Sequence, residues 1–336
     1  MTTTNARIVI TGAAGFLGAT LTKELLAADA VDIDGEKHTL DSLVLVDLFP
    51  PVADIVRDPR VEVVTGELDA AAAALGEADV IFHLAGVVSS AAESDFDLGM
   101  STNLDALRNL LEAGRAMTNP PVVVFTSSLA VYGADPHLGP IGVVDDDTLP
   151  RPQSSYGVQK FVGEQLVADY TRKGFVRGRS VRLMTVAVRP GKPNAAASSF
   201  ISGMIREPLN GESSTCPMPP DLPIAVSSPR KTLEGILAAA AKPSKEWGST
   251  TAMNLPSLTT TPRAMVDALT RLAGPEAGAL VRWDEDPAIM AIVGSWPSAF
   301  KTRRARSLGL EPEKSFDDIV YEYLVTLRTN TVPATS

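Results

Sequence analysis

This chain has very few of the residues on which disulfides and transition-metal sites depend. Its 336 residues include one cysteine, Cys216, and three histidines. A single cysteine excludes an internal disulfide and suits a reducing compartment. The acidic run Asp145-Asp146-Asp147 has no metal-ligand spacing around it. We therefore expect no metal site.

The chain also lacks an excess of positive charge and a long apolar run. Its formal net charge is −10, so no basic stripe is available to neutralise the phosphates of a nucleic acid. Residues 1–7 are polar, and the apolar strand that follows is too short for a signal peptide or a membrane span. We expect a cytoplasmic protein that binds a small molecule, with neither a nucleic acid nor a membrane as partner.

What the sequence does contain is a regular alternation of apolar strands with helical periodicity. The strands are predicted near 7–11, 43–46, 61–64, 79–84, 122–127 and 181–188. This alternation predicts an α/β fold, a doubly wound parallel sheet with helices on both faces. After residue 189, prolines interrupt the pattern. We expect a nucleotide-binding domain at 1–189 and a smaller C-terminal substrate lobe at 190–336, with some segments returning to the first domain.

A glycine-rich turn follows the first strand. The run Ile8-Val9-Ile10 leads into Gly12-Ala13-Ala14-Gly15-Phe16-Leu17-Gly18, and an amphipathic stretch comes next. Such a turn lets backbone amides approach a pyrophosphate at the positive N-terminus of a helix, where a side chain would block the approach. GxxGxxG alone is a weak signal. Its position between a strand and a helix favours a dinucleotide site.

A carboxylate ends the second apolar strand. Asp47 follows Leu43-Val44-Leu45-Val46 and can accept hydrogen bonds from both ribose hydroxyls of adenosine. It would repel the additional phosphate of NADP, so we expect NAD. The separation between Gly18 and Asp47 is longer than usual, and the polar stretch 32–42 is therefore interpreted as an extended loop between helix and strand.

A phenol and an ammonium lie one helical turn apart near mid-chain. Tyr156 and Lys160 are at i and i+4, and so face the same side of a helix. The ammonium favours the phenolate, which can act as a general acid/base on an alcohol or carbonyl. Such a pair alone is usually a solvated helix face. The hydroxyls of Thr126-Ser127-Ser128 at the end of a strand favour catalysis, because ligands of doubly wound folds bind at that edge.

In this order, the motifs resemble those of the extended short-chain dehydrogenase/reductase superfamily, which includes NAD-dependent epimerases and dehydratases. Its members carry a GxxGxxG turn, a serine after the fifth strand and YxxxK on the next helix, and the resemblance spans roughly residues 7–328. It implies a Rossmann fold, a homodimer formed by the outer faces of helices 99–117 and 156–170, and the catalytic residues Ser128, Tyr156 and Lys160.

The resemblance also assigns individual residues to the cofactor and a mechanism to the catalytic residues. Tyr156 would take the hydroxyl proton, Ser128 would hydrogen-bond the same substrate oxygen, and Lys160 would lower the pKa of Tyr156 and hold the nicotinamide ribose. The implied NAD contacts are Gly12, Ala14, Gly15, Phe16, Leu17, Gly18, Asp47, Glu67, Leu68, Leu84, Ala85, Gly86, Asn103, Tyr156, Lys160 and Pro190.

The second half departs from the pattern of sugar-nucleotide epimerases. Those enzymes typically continue from the sixth strand into an Asn and a Tyr-Gly-Pro segment, whereas this chain reads Arg189-Pro190-Gly191-Lys192-Pro193-Asn194. It looks like the branch of the superfamily that oxidises D-erythronate, a small 2-hydroxy sugar acid, to its 2-oxo form. The acid needs a cationic partner, for which Arg206 and Arg230 are the candidates, with Asn194 as a loop contact.

Two alternatives stay open at this point. A nucleotide-sugar epimerase or dehydratase with tightly bound NAD would use the same catalytic residues but recycle its cofactor. Arg206 has a competing interpretation as well, because it can pair with the neighbouring Glu207.

Overall fold

The structure, a computed structural model, describes residues 4–66, 72, 75–191 and 196–331. Within these residues the strands are β1 (Thr4–Thr11), β2 (Val31–Ile33), β3 (Glu36–Asp47), β4 (Val61–Thr65), β5 (Val80–His83), β6 (Val122–Ser128), β7 (Val143–Asp145), β8 (Arg177–Leu183), β9 (Thr185–Val186), β10 (Ser214–Cys216), β11 (Ile224–Ser227), β12 (Met253–Asn254), β13 (Leu258–Thr260), β14 (Val281–Trp283) and β15 (Ala299–Lys301).

The helices of the described residues alternate with these strands. They are α1 (Phe16–Ala27), α2 (Ala53–Val56), α3 (Ser89–Ser94), α4 (Phe96–Met100), α5 (Ala106–Arg115), α6 (Ser155–Arg172), α7 (Ser199–Leu209), α8 (Pro229–Ala241), α9 (Ser244–Trp247), α10 (Pro262–Ala273), α11 (Pro275–Ala279), α12 (Pro287–Val293), α13 (Arg303–Ser307) and α14 (Phe316–Thr331), with a π-helical segment at Ser101–Asp105 and a 3₁₀ turn at Leu129–Val131.

One large sheet organises the fold. Its order is β12-β8-β6-β5-β1-β3-β2, and β4 pairs with the C-terminal half of β3. All of its pairings are parallel except the one between β2 and β3. Helix α8 packs on one face, against β6 and β8. Helix α6 packs on the other face of the same strands, through a separate cluster of apolar side chains. The predicted doubly wound sheet is confirmed.

The order of the strands along the chain changes direction at β1. Strand β1 pairs with β3 on one side and with β5 on the other, so the helices that follow these strands lie on opposite faces. In open α/β sheets a crevice forms at this switch point, outside the carboxyl ends of the strands. The glycine turn after β1 therefore stands at the position where ligands of such sheets bind.

The interpretation of 32–42 as a loop is wrong, because this stretch forms a hairpin between β2 and β3. Val31 and Ile33 are buried and Asp32 is exposed, which is the two-residue alternation of a strand. The turn residues Asp34 and Gly35 both have positive φ, the conformation that tight hairpin turns require. The polar residues of this stretch are the exposed positions of a strand pair.

A second apolar core lies in the C-terminal part of the chain. It is built from α7, α10 and α14 with residues of β10 and β11. Other segments from beyond residue 189 return to the large sheet: α8 covers β6 and β8, and β12 pairs with β8 at its edge. The division into 1–189 and 190–336 stays a prediction.

Candidate active site

A cleft lies outside the carboxyl ends of β1, β5, β6 and β8. It brings the glycine turn, the Ser/Tyr/Lys group and the beginning of the C-terminal lobe together. Among the described residues it is lined by Gly12, Gly15, Phe16, Leu17, Gly18, Leu84, Gly86, Val87, Val88, Ser89, Thr126, Ser127, Ser128, Leu129, Tyr156, Lys160, Leu183, Met184, Thr185, Val186, Arg189, Ala196, Ser198 and Trp296.

The glycine turn presents backbone to the cleft at the N-terminus of α1. Gly12 has φ +74, and a Cβ there would lie 2.7 Å from the backbone nitrogen of Ala85. A Cβ on Gly18 would collide with the carbonyl oxygen of Gly12. The first turn of α1 has neither a side-chain cap nor an acidic residue. Its amides and the helix dipole are thus suited to an anion such as the pyrophosphate of a dinucleotide.

Asp47 is fixed beside this turn. Its Oδ2 accepts a hydrogen bond from the Ala14 backbone N–H at 2.9 Å, and its Oδ1 accepts one from the Phe49 N–H at 3.2 Å. A carboxylate oxygen has two lone-pair directions, so each keeps capacity for a ribose hydroxyl. The carboxylate is held beside the glycine turn by backbone donors, and it is absent from the described lining of the cleft.

Asn103 lies behind the cleft-lining segment that follows β5. Its Oδ1 accepts from the Val87 N–H at 2.8 Å, and its Nδ2 donates to the Val87 carbonyl at 3.1 Å and to Gln159 Oε1 at 2.8 Å. The π-helical segment places it there, in agreement with the frequent use of π-bulges near functional sites. Asn103 supports Gly86 and Val87, and it is itself absent from the described cleft lining.

Ser128, Tyr156 and Lys160 meet at the floor of the cleft. Tyr156 is hydrogen-bonded to the Ser128 side chain. Ser128 Oγ also accepts from the Ala130 N–H at 3.1 Å. Lys160 Nζ donates to the Thr126 carbonyl at 2.9 Å and lies 5.7 Å from the centroid of the Tyr156 ring. The three predicted catalytic side chains are thus brought together by β6 and α6.

Burial controls the proton affinities of this group. It raises the pKa of Tyr156 to about 12, which the hydrogen bond with Ser128 opposes. It lowers the pKa of Lys160 to about 8, which Glu164 opposes. For the polypeptide alone the net shift of the Tyr156 pKa is upward, because desolvation of the phenol is its largest cause. The expected lowering of this pKa by Lys160 stays a prediction.

A buried ion pair underlies the catalytic residues. Glu164 is one turn beyond Lys160 on α6, and its carboxylate binds Arg182 of β8 at 2.8 and 2.6 Å. Ser127 Oγ donates to Glu164 Oε1 at 2.5 Å, and Arg182 Nη1 donates to the Tyr132 hydroxyl at 2.5 Å. Sequence reasoning missed this network, although the i+4 spacing from Lys160 to Glu164 was visible.

His83 at the end of β5 is a structural residue. Its Nδ1 is 2.8 Å from the Thr11 hydroxyl, and its carbonyl accepts from the Thr126 hydroxyl at 3.1 Å. Burial, together with the Lys160 charge, lowers the pKa of His83 to about 3. A neutral imidazole that stays neutral at physiological pH serves as a hydrogen-bonding element of the strand ends.

Three predicted residues lie away from the cleft: Pro190, an expected NAD contact, and the two candidate arginines for the substrate carboxylate. Pro190 and Arg230 line a separate groove between α1, α8 and α14. Arg230 is exposed there and pairs with Glu322 and Glu234. Arg206 is buried, pairs with Glu207 at 2.6 Å and donates to the Arg189 carbonyl at 3.0 Å. Existing carboxylate partners therefore occupy both arginines, and neither lines the cleft.

Three further predicted residues are not among those that the structure describes. They are Glu67 and Leu68, two of the expected NAD contacts, and Asn194, the expected loop contact of the substrate. All three lie outside the described residues.

Arg189 is a cleft residue that the sequence pattern did not assign to the site. It follows the strand end that contributes Leu183 to Val186, and it lines the cleft together with Ser198 and Trp296. Arg189 stood beside a proline where the strand pattern ended, and was interpreted as a boundary of the first domain. The available signal was the position of this cation, three residues after the end of β9, which lines the cleft.

No described helix combines the length and apolar character that crossing a bilayer requires. Within the same part of the chain, no group of three or more His, Cys, Asp or Glu is placed to hold a metal ion.

Comparison with known proteins identifies relatives along nearly the whole chain. A sequence profile of the NAD dependent epimerase/dehydratase family matches residues 8–223. The D-erythronate dehydrogenase of Cupriavidus necator is 46% identical over 321 residues, which cover 94% of this chain and 97% of that protein. The D-erythronate dehydrogenase of Haemophilus influenzae is 40% identical over 334 residues, covering 95% of this chain and 98% of that protein.

A solved structure is similar over the same extent. It is described as the nucleoside-diphosphate-sugar epimerase from Agrobacterium tumefaciens and matches with a TM-score of 0.87 at 36% identity. The match covers 98% of this chain and 96% of that one.

The buried ion pair yields a prediction about stability. Arg182→Met should lower the free energy of unfolding by about 3–5 kcal/mol, because the Glu164 carboxylate is left buried without its cation. The double variant Glu164→Gln/Arg182→Met should recover most of this loss, since no uncompensated charge remains. Urea unfolding of the single and double variants measures the difference.

A control for this experiment lies on the same helix. Arg172 pairs with Asp169 at 2.6 Å on the exposed face of α6, so Arg172→Met should cost less than about 1 kcal/mol. A double variant as unstable as Arg182→Met would contradict the coupling of Glu164 and Arg182.

Proposed function

The chain belongs to the NAD dependent epimerase/dehydratase family and is an NAD-dependent dehydrogenase; we propose that it oxidises a small 2-hydroxy sugar acid such as D-erythronate to the 2-oxo acid. The observation that carries this proposal is the convergence of Ser128, Tyr156 and Lys160 on the cleft beside the glycine turn. The two D-erythronate dehydrogenases that match nearly the whole chain support the choice of substrate.

The residues around the cleft fit NAD. The turn from Gly12 to Gly18 and the first amides of α1 would hold the pyrophosphate, and Asp47 would hold the adenosine ribose. Leu84 and Gly86 would lie along the cofactor, and Asn103 holds the next residue, Val87, through hydrogen bonds with its backbone. NAD, when bound, accepts the hydride that leaves the carbinol carbon, so that NADH and a 2-oxo acid result.

Tyr156 and Ser128 would handle the proton of the substrate hydroxyl. Tyr156 accepts this proton as the C=O double bond forms, while Ser128 donates a hydrogen bond to the same oxygen. The pKa of about 12 opposes the phenolate, so the reaction depends on positive charge near the ring. Lys160 supplies one such charge at 5.7 Å from the ring centroid, and it would also hold the nicotinamide ribose.

An epimerase is the second candidate function. The similar structure from Agrobacterium tumefaciens carries that description, and the same residues can oxidise a sugar and reduce it again. The two functions differ in whether added NAD is consumed. A dehydrogenase accumulates NADH with D-erythronate, whereas an epimerase recycles its cofactor and gives no net absorbance at 340 nm. Net NADH formation from a UDP-sugar, with none from sugar acids, would contradict both acid oxidation and simple epimerisation.

We also propose that the protein is a homodimer. On α6 the residues Gly157, Lys160 and Glu164 face inward, while Val158 and Val162 are 45% and 36% exposed on the opposite side. Phe96 and Leu98 of the adjacent α4 are exposed as well. Apolar side chains at i and i+4 on the outer face of a helix suit an isologous contact across a two-fold axis.

The first functional prediction concerns Tyr156. Tyr156→Phe should keep NAD affinity but lose turnover of D-erythronate by on the order of 100-fold or more, the usual contribution of a positioned acid/base. Tyr170→Phe is the control, because Tyr170 lies on the same helix and bonds Glu112 on the surface. NADH absorbance and calorimetric NAD titration give the two readings. Near-normal turnover by Tyr156→Phe would refute the assignment.

The second prediction concerns the choice between NAD and NADP. Asp47→Asn keeps an oxygen for the Ala14 N–H but removes the charge that repels the 2′-phosphate of NADP. We expect the unmodified protein to prefer NAD strongly and this variant to lose much of the preference. The measurement is kcat/KM with each cofactor. Equal kcat/KM values for both in the unmodified protein would contradict the role of Asp47.

The third prediction concerns assembly. Val162→Glu should convert the dimer to a monomer, because two-fold symmetry places the new charge in the contact twice. Val325→Glu is the control, since Val325 is an exposed valine on α14, away from this surface. Light scattering at micromolar concentration measures the mass. A monomeric unmodified protein would overturn the proposal.

A further inference from the structure

The cleft has a charge opposite to that of the whole chain. Among its described lining residues, Lys160 and Arg189 are cationic, and none is an Asp or a Glu. The chain as a whole has a formal net charge of −10. An excess of carboxylates elsewhere and their absence from the described lining make the cleft an anion-binding environment.

The two cations come from different sides of the cleft. Lys160 is buried, donates to the Thr126 carbonyl and stands beside the Tyr156 ring, so its position is tied to catalysis. Arg189 comes from the opposite, C-terminal side of the cleft, after the end of β9. Its planar guanidinium is suited to a bidentate interaction with a carboxylate.

The backbone of Arg189 is fixed from both sides by α7. Its N–H donates to the Ser202 hydroxyl at 3.0 Å, and its carbonyl accepts from Arg206 Nη1 at 3.0 Å. Arg206 is itself held by Glu207 at 2.6 Å, and both Ser202 and Arg206 are buried. Arg206, which the sequence suggested as the direct substrate contact, thus serves to position the residue that lines the cleft.

The electrostatic environment of Arg189 includes a second guanidinium. Burial, and then the charge of Arg206, lower the pKa of Arg189 from its ordinary value. Glu207 is the carboxylate that binds Arg206. A carboxylate bound by Arg189 would oppose this lowering of its pKa.

The chemistry of the substrate limits where its carboxylate can lie. In a 2-hydroxy acid the carboxylate is bonded directly to the carbon that is oxidised, so its partner must line the same cleft as Ser128 and Tyr156. Arg189 meets this condition, whereas Arg230 lies in the separate groove. We propose that Arg189 binds the carboxylate of the substrate and determines the specificity of the enzyme for acids. This inference rests on the function proposed above.

The test compares one acid with its neutral analogue. D-Erythronate and D-erythronamide share the carbon chain and differ in the charge of one group. Arg189→Met should raise the KM for D-erythronate on the order of 10- to 100-fold, the usual effect of losing a charge-assisted hydrogen-bonded pair. The KM for the amide should change less than about threefold, because a neutral group makes no such pair.

Two further variants complete the design. Arg189→Lys keeps the charge but loses the bidentate geometry, so its KM for D-erythronate should fall between those of the unmodified protein and Arg189→Met. Arg230→Met is the matched control, with both KM values unchanged, since Arg230 is 60% exposed in the other groove. Circular dichroism and NAD titration establish that each variant is folded.

The outcomes separate this inference from the function on which it rests. If the unmodified protein reduces no NAD with any sugar acid, the proposed function fails. If it oxidises D-erythronate but Arg189→Met and Arg189→Lys raise the KM for acid and amide equally, the function stands and the role of Arg189 is overturned. A selective rise for the acid in Arg230→Met would also overturn it.

Discussion

The buried ion pair between Glu164 and Arg182 is the interaction on which the rest of the site depends. Each charge loses its hydration, which costs several kcal/mol per ion unless hydrogen bonds replace the water. Here the carboxylate accepts from Arg182 twice and from Ser127, while the guanidinium also donates to Tyr132. The pair thereby joins α6, β6 and β8, the three elements whose residues surround the reacting position.

The two sides of the cleft are held by different contacts. The sheet side is fixed by the ion pair and by the Lys160 bond to Thr126, which suits proton transfer, a process that tolerates little displacement. The opposite side is formed after residue 183, where β9, Arg189 and α7 lead into the second apolar core. The proposed proton transfer thus uses residues of the sheet side, and the proposed substrate recognition uses the segment that follows β8.

The sequence predicted the parts of the site that depend on local spacing. Glycine positions at Gly12 and Gly18 and the i, i+4 relation of Tyr156 and Lys160 follow from the geometry of one turn and one helix. The structure places the two candidate arginines, Arg206 and Arg230, away from the cleft. The pairing of Arg206 with its neighbour Glu207 could be anticipated from the sequence. Glu322, a partner of Arg230, lies far along the chain and is brought close by tertiary packing.

The hairpin was missed for a related reason. Its polar residues are typical of a loop, because the alternation of buried and exposed positions from Val31 to Ile33 covers only three residues. The groups that hold it come from remote parts of the sequence. Asp34 binds Arg177 and Arg179, and its N–H donates to the carbonyl of Ala240. No local pattern reports these contacts.

The attachment of this hairpin has a consequence for how the protein is made. Synthesis delivers β1 to β8 first, but α8, which packs against β2, β6 and β8, emerges later, and β12 later still. Until then the part of the sheet face that α8 covers stays exposed and the edge beyond β8 stays unpaired, a state that invites association between chains. Contacts of such long sequence separation also slow folding. The nascent nucleotide-binding half therefore depends on the last third of the chain for its completion, and we expect it to need protection on the ribosome.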